Sequence, residues 1–372
     1  MKWWLALIPV VAMAMSMEEK VGLLFVVSVS PTRGEDHFQD WDRLIEECHI
    51  SNVLPKSSDF ASYAKALARL QRKSKQPLLV LADAEWGLGM RITDALSFPK
   101  NGLLGAIQDL SLLKELGREI GREAVAAGID INLAPVVDVN SNPNNPIIGL
   151  RSFGDKPEIV SPRAVAVMTG MQEMELRACA KHFPGHGDTA VDSHVGLPVV
   201  DHPLDAVELP PFQAQIDAGV TAIMTAHILV PALDPTWPAT LSPSILTKLL
   251  REKMGFQGLI ITDALNMNAL ADRYSPEEIA LRAHEAGADL LLYGDHLSEG
   301  VDHLLRDQVP RAYRALLKAY QNGLFPLSRL DASVNRILPL KRAKEAPTLH
   351  IFPEALELKE QLAELSKEKA KG

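Results

Sequence analysis

Acidic residues outnumber basic ones, 47 to 38, along a chain of 372 residues, which leaves a net charge of −9. That balance excludes nucleic acid as the main partner, because phosphate recognition needs a basic surface. Two cysteines, Cys48 and Cys179, are too few for a disulfide framework and are expected as buried free thiols.

The chain opens on an apolar segment, Met1 to Ala14, in which Lys2 precedes WWLALIPVVAMAM and Ala12-Met13-Ala14 has a small-x-small pattern. It resembles a short secretory signal and is too short to span a membrane as a helix. Export to the periplasm is therefore expected, with an uncleaved apolar N-terminus on a cytoplasmic protein as the alternative. No later segment is apolar enough for a transmembrane helix, so no stable membrane insertion is expected.

From there short apolar runs alternate with amphipathic stretches. The runs are Val21 to Ser28, His49 to Leu54, Pro77 to Glu85, Asp130 to Val139, Arg177 to Phe183, Thr221 to Ile228, Gly258 to Ala264 and Asp289 to Tyr293. Helical patterns between them include Phe60 to Lys73, Ser111 to Ala127, Pro162 to Glu175, Asp205 to Ala218, Pro243 to Met254 and Pro276 to Ala286, and Ser298 to Asn322 follows the last run. Eight such units predict an α/β fold, a single (β/α)8 barrel of the TIM type. Several runs are apolar throughout, as strands buried on both faces are. A doubly wound open sheet is the runner-up, but no Gly-rich phosphate fingerprint follows the first run. One barrel domain over residues 17–345 and a helical tail over 346–372 are expected, with no linker and no second domain; the chain is expected as a monomer.

In such a barrel, polar residues at the C-terminal ends of the strands line the active site. Asp83 and Glu85 end the third run, Asp138 the fourth, Lys181 and His182 the fifth, His227 the sixth and Asp263 the seventh, and Arg151 lies in the loop after the fourth. For any one of them a helix cap or a solvated loop accounts for the residue equally well; their joint placement on one rim favours a site. Asp263, directly after Leu259-Ile260-Ile261-Thr262 in GLIITDALNM, reads as an N-cap or as a carboxylate held rigidly at the mouth. The loop after the fifth run, in KHFPGHGDTAVDSH, carries His186, Asp188, Asp192 and His194 on a segment broken by Pro184, Gly185 and Gly187. Its histidines suggest a metal, but Pro184 and Gly185 break the spacing and no His-x-x-x-His helix is present. No metal and no cofactor are expected. Nucleophile-elbow, P-loop and zincin motifs are absent. Because Lys181 and His182 are adjacent, a regular strand would point them to opposite faces. If both serve one ligand, a bulge, a strand end or a cis peptide is expected there.

KHFPGHGDTAVDSH, TDALNM, VLADAEWG, IIGLRSFG and the opening MSMEEKVGLLFVV together resemble glycoside hydrolase family 3, and most closely its bacterial β-N-acetylglucosaminidase branch, over about Met17 to Lys344. The resemblance implies a barrel and a retaining exo-β-N-acetylhexosaminidase that releases terminal N-acetylglucosamine from cell-wall or chitin-type oligosaccharides. It implies Asp263 as the nucleophile, His194 as the acid/base and Asp192 as the carboxylate behind it. Asp83, Arg91, Arg151, Lys181 and His182 are implied to hold the terminal sugar. Trp86 departs from the family pattern, which has a second Gly at that place. The chemistry is coherent: an imidazole titrates near working pH, and a carboxylate two residues away on an extended loop can orient it. A β-glucosidase or β-xylosidase and a phosphorylase are the alternatives within the family. A sugar-binding protein without catalysis is the alternative outside it.

Overall fold

The computed structural model describes residues 12, 14–193, 196–294 and 300–369. Of the apolar segment Met1 to Ala14 only Ala12 and Ala14 are included, and His194 lies outside the described residues.

Eight parallel strands form the centre: β1 (Phe25–Val29), β2 (Asn52–Pro55), β3 (Leu79–Ala82), β4 (Ile131–Asn132), β5 (Arg177–Phe183), β6 (Ala222–Thr225), β7 (Leu259–Ile261) and β8 (Leu291–Tyr293). They pair in sequence order, with β8 returning to β1 through Phe25–Leu291, Val26–Leu292 and Val27–Tyr293. The remaining seam, β7 to β8, is joined by a parallel bridge between Ile261 and Leu290 and by Thr262 N–H donating to Leu290 O at 2.9 Å. The sheet is a barrel with only that one short seam, as the eightfold alternation predicts.

The longer helices surround it: α1 (Met17–Gly22), α2 (Glu35–Cys48), α3 (Phe60–Lys73), α4 (Leu110–Ala126), α5 (Pro157–Glu173), α6 (Leu209–Asp217), α7 (Ser244–Lys253), α8 (Pro276–Ala286), α9 (Val309–Gln321), α10 (Leu327–Ile337) and α11 (Pro353–Lys369). Every residue of β1, β2 and β3 is buried, because side chains on one face fill the barrel and those on the other meet the helices. Both cysteines are free and buried.

Two boundaries differ from the sequence reading for local reasons. Val21 and Gly22 end α1 instead of opening a strand; Ser16 and Glu19 form a reciprocal capping box that starts this helix, the S-x-x-E pattern. The expected fourth strand, Asp130 to Val139, keeps regular pairing only over Ile131–Asn132. Pro135 has no N–H to give a ladder, although its carbonyl still accepts from Lys181 N–H at 3.2 Å.

Charge is used structurally at the strand N-termini. Buried Asp289, just before β8, accepts from Ile260 N–H at 3.0 Å, from Ser333 Oγ at 2.6 Å and from Arg336 at 3.1 Å, and pairs with Arg251. Asp130, before β4, pairs with Lys344. These contacts bind α10 and the segment after it to the base of the barrel. α11 then lies along α4, burying Ala355, Leu358 and Leu362, with Arg122 of α4 over the Phe352 ring at 5.0 Å. Among the described residues, no helix is long and apolar enough to cross a membrane.

Candidate active site

The opposite end of the barrel holds a cavity of about 250 Å3. β3, β5 and β7 deliver polar side chains there because each apolar run stops where the strand leaves the core. Asp83 and Glu85 follow β3, Arg151 stands in the β4 loop, Lys181 and His182 close β5, and Asp263 follows β7. All six line this cavity, as do Arg91 and Trp86. Asp138 and His227 are buried just behind its wall, at 1% exposure each.

The peptide between Lys181 and His182 is cis, and the register with β6 shifts between Lys181 and Phe183. Both side chains face the cavity, so the expected irregularity is present.

The charged groups form one chain. Arg91 Nη2 donates to Asp83 Oδ2 at 3.3 Å, and Lys181 Nζ donates to Asp83 Oδ1 at 2.9 Å. Lys181 also lies 2.9 Å from Glu85 Oε1. Arg151 grips both Glu85 oxygens, Nη2 to Oε1 at 2.7 Å and Nε to Oε2 at 3.0 Å, the bidentate geometry a guanidinium favours. Arg151 Nη2 lies 3.3 Å from His182 Nε2, and His182 Nδ1 lies 2.7 Å from Asp138 Oδ2. Burial pushes the Asp83 carboxyl up, but Lys181 and Arg91 outweigh it and hold the group well below the carboxylate range. The same balance, with Lys181 and Arg151 as the cations, brings Glu85 to about 2. The carboxylates return the favour: burial alone would lower Lys181 and Arg151, yet both are raised. Asp83, Glu85, Lys181 and Arg151 are therefore charged at neutral pH.

Asp263 accepts the N–H of Ala264 on Oδ1 at 2.7 Å. Burial raises its carboxyl, and the His182 and His227 rings, the Ala264 N–H and Lys181 pull it below the ordinary range. It is an anion in the cavity wall. His227 Nε2 donates to the Ala264 carbonyl at 2.9 Å, which fixes the residue that holds Asp263.

The loop after β5 is tied down along the described part of its length. Asn145 Nδ2 donates to His186 O at 2.8 Å, Asn142 Nδ2 to Asp188 O at 3.3 Å, and Ala269 N–H to Ser193 O at 3.2 Å. His186, buried, places Nδ1 2.6 Å from Thr189 Oγ1 and Nε2 3.3 Å from Ser193 Oγ. Burial lowers this imidazole to about 4, so it stays neutral. Asp192 is half-buried and is not among the cavity-lining residues. Asp188 turns away from the cavity, with Ser141 Oγ at 3.4 Å and His202 Nδ1 at 3.5 Å.

His186, named above among the loop's polar groups, and Ser193, which was not, both line the cavity; nothing in a Gly- and Pro-rich loop tells which side chain turns inward. No group of three or more His, Cys, Asp or Glu able to hold a metal occurs among the described residues.

Residues 16–340 match the sequence profile of the glycosyl hydrolase family 3 N terminal domain. Beta-hexosaminidase A of Pseudoalteromonas piscicida is 38% identical over 295 residues, 74% of this chain and 49% of that protein. Beta-hexosaminidase LpqI of Mycobacterium tuberculosis is 31% identical over 340 residues, 88% of this chain and 83% of that one. A glycoside hydrolase family 3 β-N-acetylglucosaminidase from Paenibacillus sp. str. FPU-7 superposes with a TM-score of 0.86 at 37% identity, covering 95% of this chain and 69% of its own. The chain thus spans about half the length of the Pseudoalteromonas relative. With a matching barrel and a profile match over most of its length, this chain belongs to glycosyl hydrolase family 3.

Proposed function

We infer that this protein removes terminal β-linked N-acetylhexosamine from oligosaccharides by a double displacement. The observation that carries the reading is the ionised Asp263 carboxylate in the wall of a cavity whose other charged lining residues are paired cations and anions. The beta-hexosaminidase and β-N-acetylglucosaminidase names of the similar proteins supply the sugar.

In this mechanism Asp263 attacks the anomeric carbon and the bond to the leaving oxygen breaks, giving a glycosyl-aspartate. His194, oriented by Asp192, donates a proton to that oxygen, then takes one from the water that releases the sugar. Asp83, Arg91, Arg151, Lys181 and His182 hold the ring. Cations already neutralised by carboxylates suit an uncharged polyol, because each remaining donor can turn to a hydroxyl without leaving a bare buried charge. Cell-wall fragments and chitin-derived oligosaccharides are the candidate substrates, reached outside the cytoplasm if the N-terminal segment directs export.

A second reading is favoured by the likeness to a β-glucoside phosphorylase, 25% identical with a TM-score of 0.84. There, phosphate would replace water in the second step. Release of the aryl group from an aryl N-acetyl-β-glucosaminide and an aryl β-glucoside, with and without phosphate, separates the readings. Hydrolysis of the first substrate without phosphate, with retention at the anomeric carbon, is expected. Preference for the glucoside, or accumulation of sugar 1-phosphate, would replace this reading with the alternative.

A further inference from the structure

Asp138 receives three donors, as many as Glu85, yet it is not itself in the cavity wall. Its Oδ1 accepts His186 N–H at 2.7 Å, both oxygens stand 3.2 Å from His182 N, and Oδ2 stands 2.7 Å from His182 Nδ1. It is 1% exposed. It therefore binds two things at once: the ring and backbone of His182, and the backbone from which the Gly185 to Ser193 loop departs.

The hydrogens on the His182 ring follow from its two partners. Arg151 can only donate, so the 3.3 Å contact from its Nη2 requires a lone pair on His182 Nε2. A carboxylate can only accept, so Nδ1 must carry the hydrogen that lies toward Asp138. An imidazolium would set Nε2–H against the Arg151 donor. A neutral His182 leaves the pull on Asp263 to His227, the Ala264 N–H and Lys181. With this tautomer the hydrogen bonds run unbroken, each donor meeting an acceptor, from Asp138 through His182, Arg151, Glu85, Lys181 and Asp83 to Arg91.

We propose that Asp138 is a positioning residue of the hydrolytic reaction: it fixes the Nδ1–H tautomer of His182, so that Nε2 holds Arg151 toward the sugar, while anchoring the base of the loop that leads to Asp192. The proposal rests on the reading that His182 and Arg151 bind the terminal sugar.

The test exploits the asymmetry of an amide. In Asp138→Asn, Oδ1 can still accept the backbone N–H groups of His182 and His186. The NH2 group then faces His182 Nδ1, where a donor now opposes a donor. The ring must take the Nε2–H form, which turns a hydrogen toward Arg151. An equivalent exchange behind a catalytic histidine is known to keep the geometry and spoil the tautomer. kcat/KM for an aryl N-acetyl-β-glucosaminide should fall about a hundredfold. In a His182→Ala background the same change should cost less than about threefold, because Asp138 acts through the ring. Nitrogen-15 NMR of histidine-labelled full-length protein should show one neutral histidine with hydrogen on Nδ1 that His182→Ala removes and Asp138→Asn converts to the Nε2–H form. If Asp138→Asn does not fold, the spectrum of the unaltered protein still decides. A His182 found as imidazolium or as the Nε2–H tautomer overturns the proposal, as does a full hundredfold loss for Asp138→Asn in the His182→Ala background. The hydrolase reading fails separately, if the unaltered protein with a correct His182 tautomer releases no aryl group.

Discussion

Nζ of Lys181 lies 2.9 Å from Oε1 of Glu85, and both residues are buried, at 2% and 5% exposure. Neither charge can be removed alone without leaving the other uncompensated, which typically costs about 3–5 kcal/mol. The pair also makes stability depend on pH. The Glu85 carboxyl is brought from 4.5 to about 2 in the folded protein, so the unfolded chain binds its proton first on acidification. The stability from Glu85 is complete above about pH 4.5 and is lost as pH falls toward about 2, about 3 kcal/mol over the whole window. Asp83 shifts in the same direction and adds to the slope. Glu85→Gln should be less stable at pH 7 and should lose less on acidification. Urea unfolding at pH 7, 5 and 3 measures both; a variant whose acid slope equals that of the unaltered protein would contradict this account.

Much of this geometry was legible in the sequence, for a physical reason that also marks its limit. β5 runs from Arg177 to Phe183 as read, because its apolar residues stop at Lys181-His182 and Pro184 follows the strand. Asp83, Lys181 and Asp263 could be placed on one rim because each ends a run of the same kind. The partners were not legible. Glu85 meets Arg151 across 66 residues and His182 meets Asp138 across 44, and periodicity carries no information on which loops face each other. Asp138 was visible as a rim residue, but its place behind His182 comes only from the folded barrel. At the N-terminus the miss was avoidable, since Ser16 and Glu19 spell a capping box that outranks the apolar run beginning at Val21.

Asp263→Ala is expected to abolish turnover, by about four orders of magnitude or more, while leaving the fold intact. The carboxylate accepts one hydrogen bond, from the adjacent Ala264 N–H; because its surroundings pull it below the ordinary range, its removal gives up some stability at neutral pH, but the barrel core does not depend on it. A fluorosugar that traps the intermediate should label Asp263 and no other residue. Labelling elsewhere, or near-normal turnover by the variant, removes Asp263 from the role.

Asp83 and Arg151 should act on binding more than on proton transfer. Asp83→Ala takes one acceptor from Lys181 and one from Arg91, and Arg151→Ala takes the guanidinium from Glu85 and His182. Either change should weaken a competitive sugar inhibitor by about tenfold or more, the effect of losing a charge-assisted hydrogen bond. The pH dependence of kcat should keep its shape. Unaltered inhibitor affinity in both variants would count against a binding role.

The last expectation concerns the proton donor. Two carboxylates of the same loop, Asp188 and Asp192, could stand behind a histidine acid, and their surroundings separate them. Asp188 is engaged by Ser141 and His202 and does not line the cavity. Asp192 directly precedes Ser193, whose hydroxyl lies 3.3 Å from His186 Nε2 at the cavity wall. An acid is needed only when the departing oxygen is a poor leaving group. His194→Ala and Asp192→Asn should therefore lower kcat/KM for N-acetylglucosaminyl disaccharides about a hundredfold or more, while dinitrophenyl glycosides lose far less. Asp188→Asn should slow both substrate types alike and only slightly. Equal slowing of the two types by His194→Ala would pass the role to another group. A selective loss in Asp188→Asn alone would name that carboxylate, and would require the loop to turn Asp188 away from His202 when sugar binds.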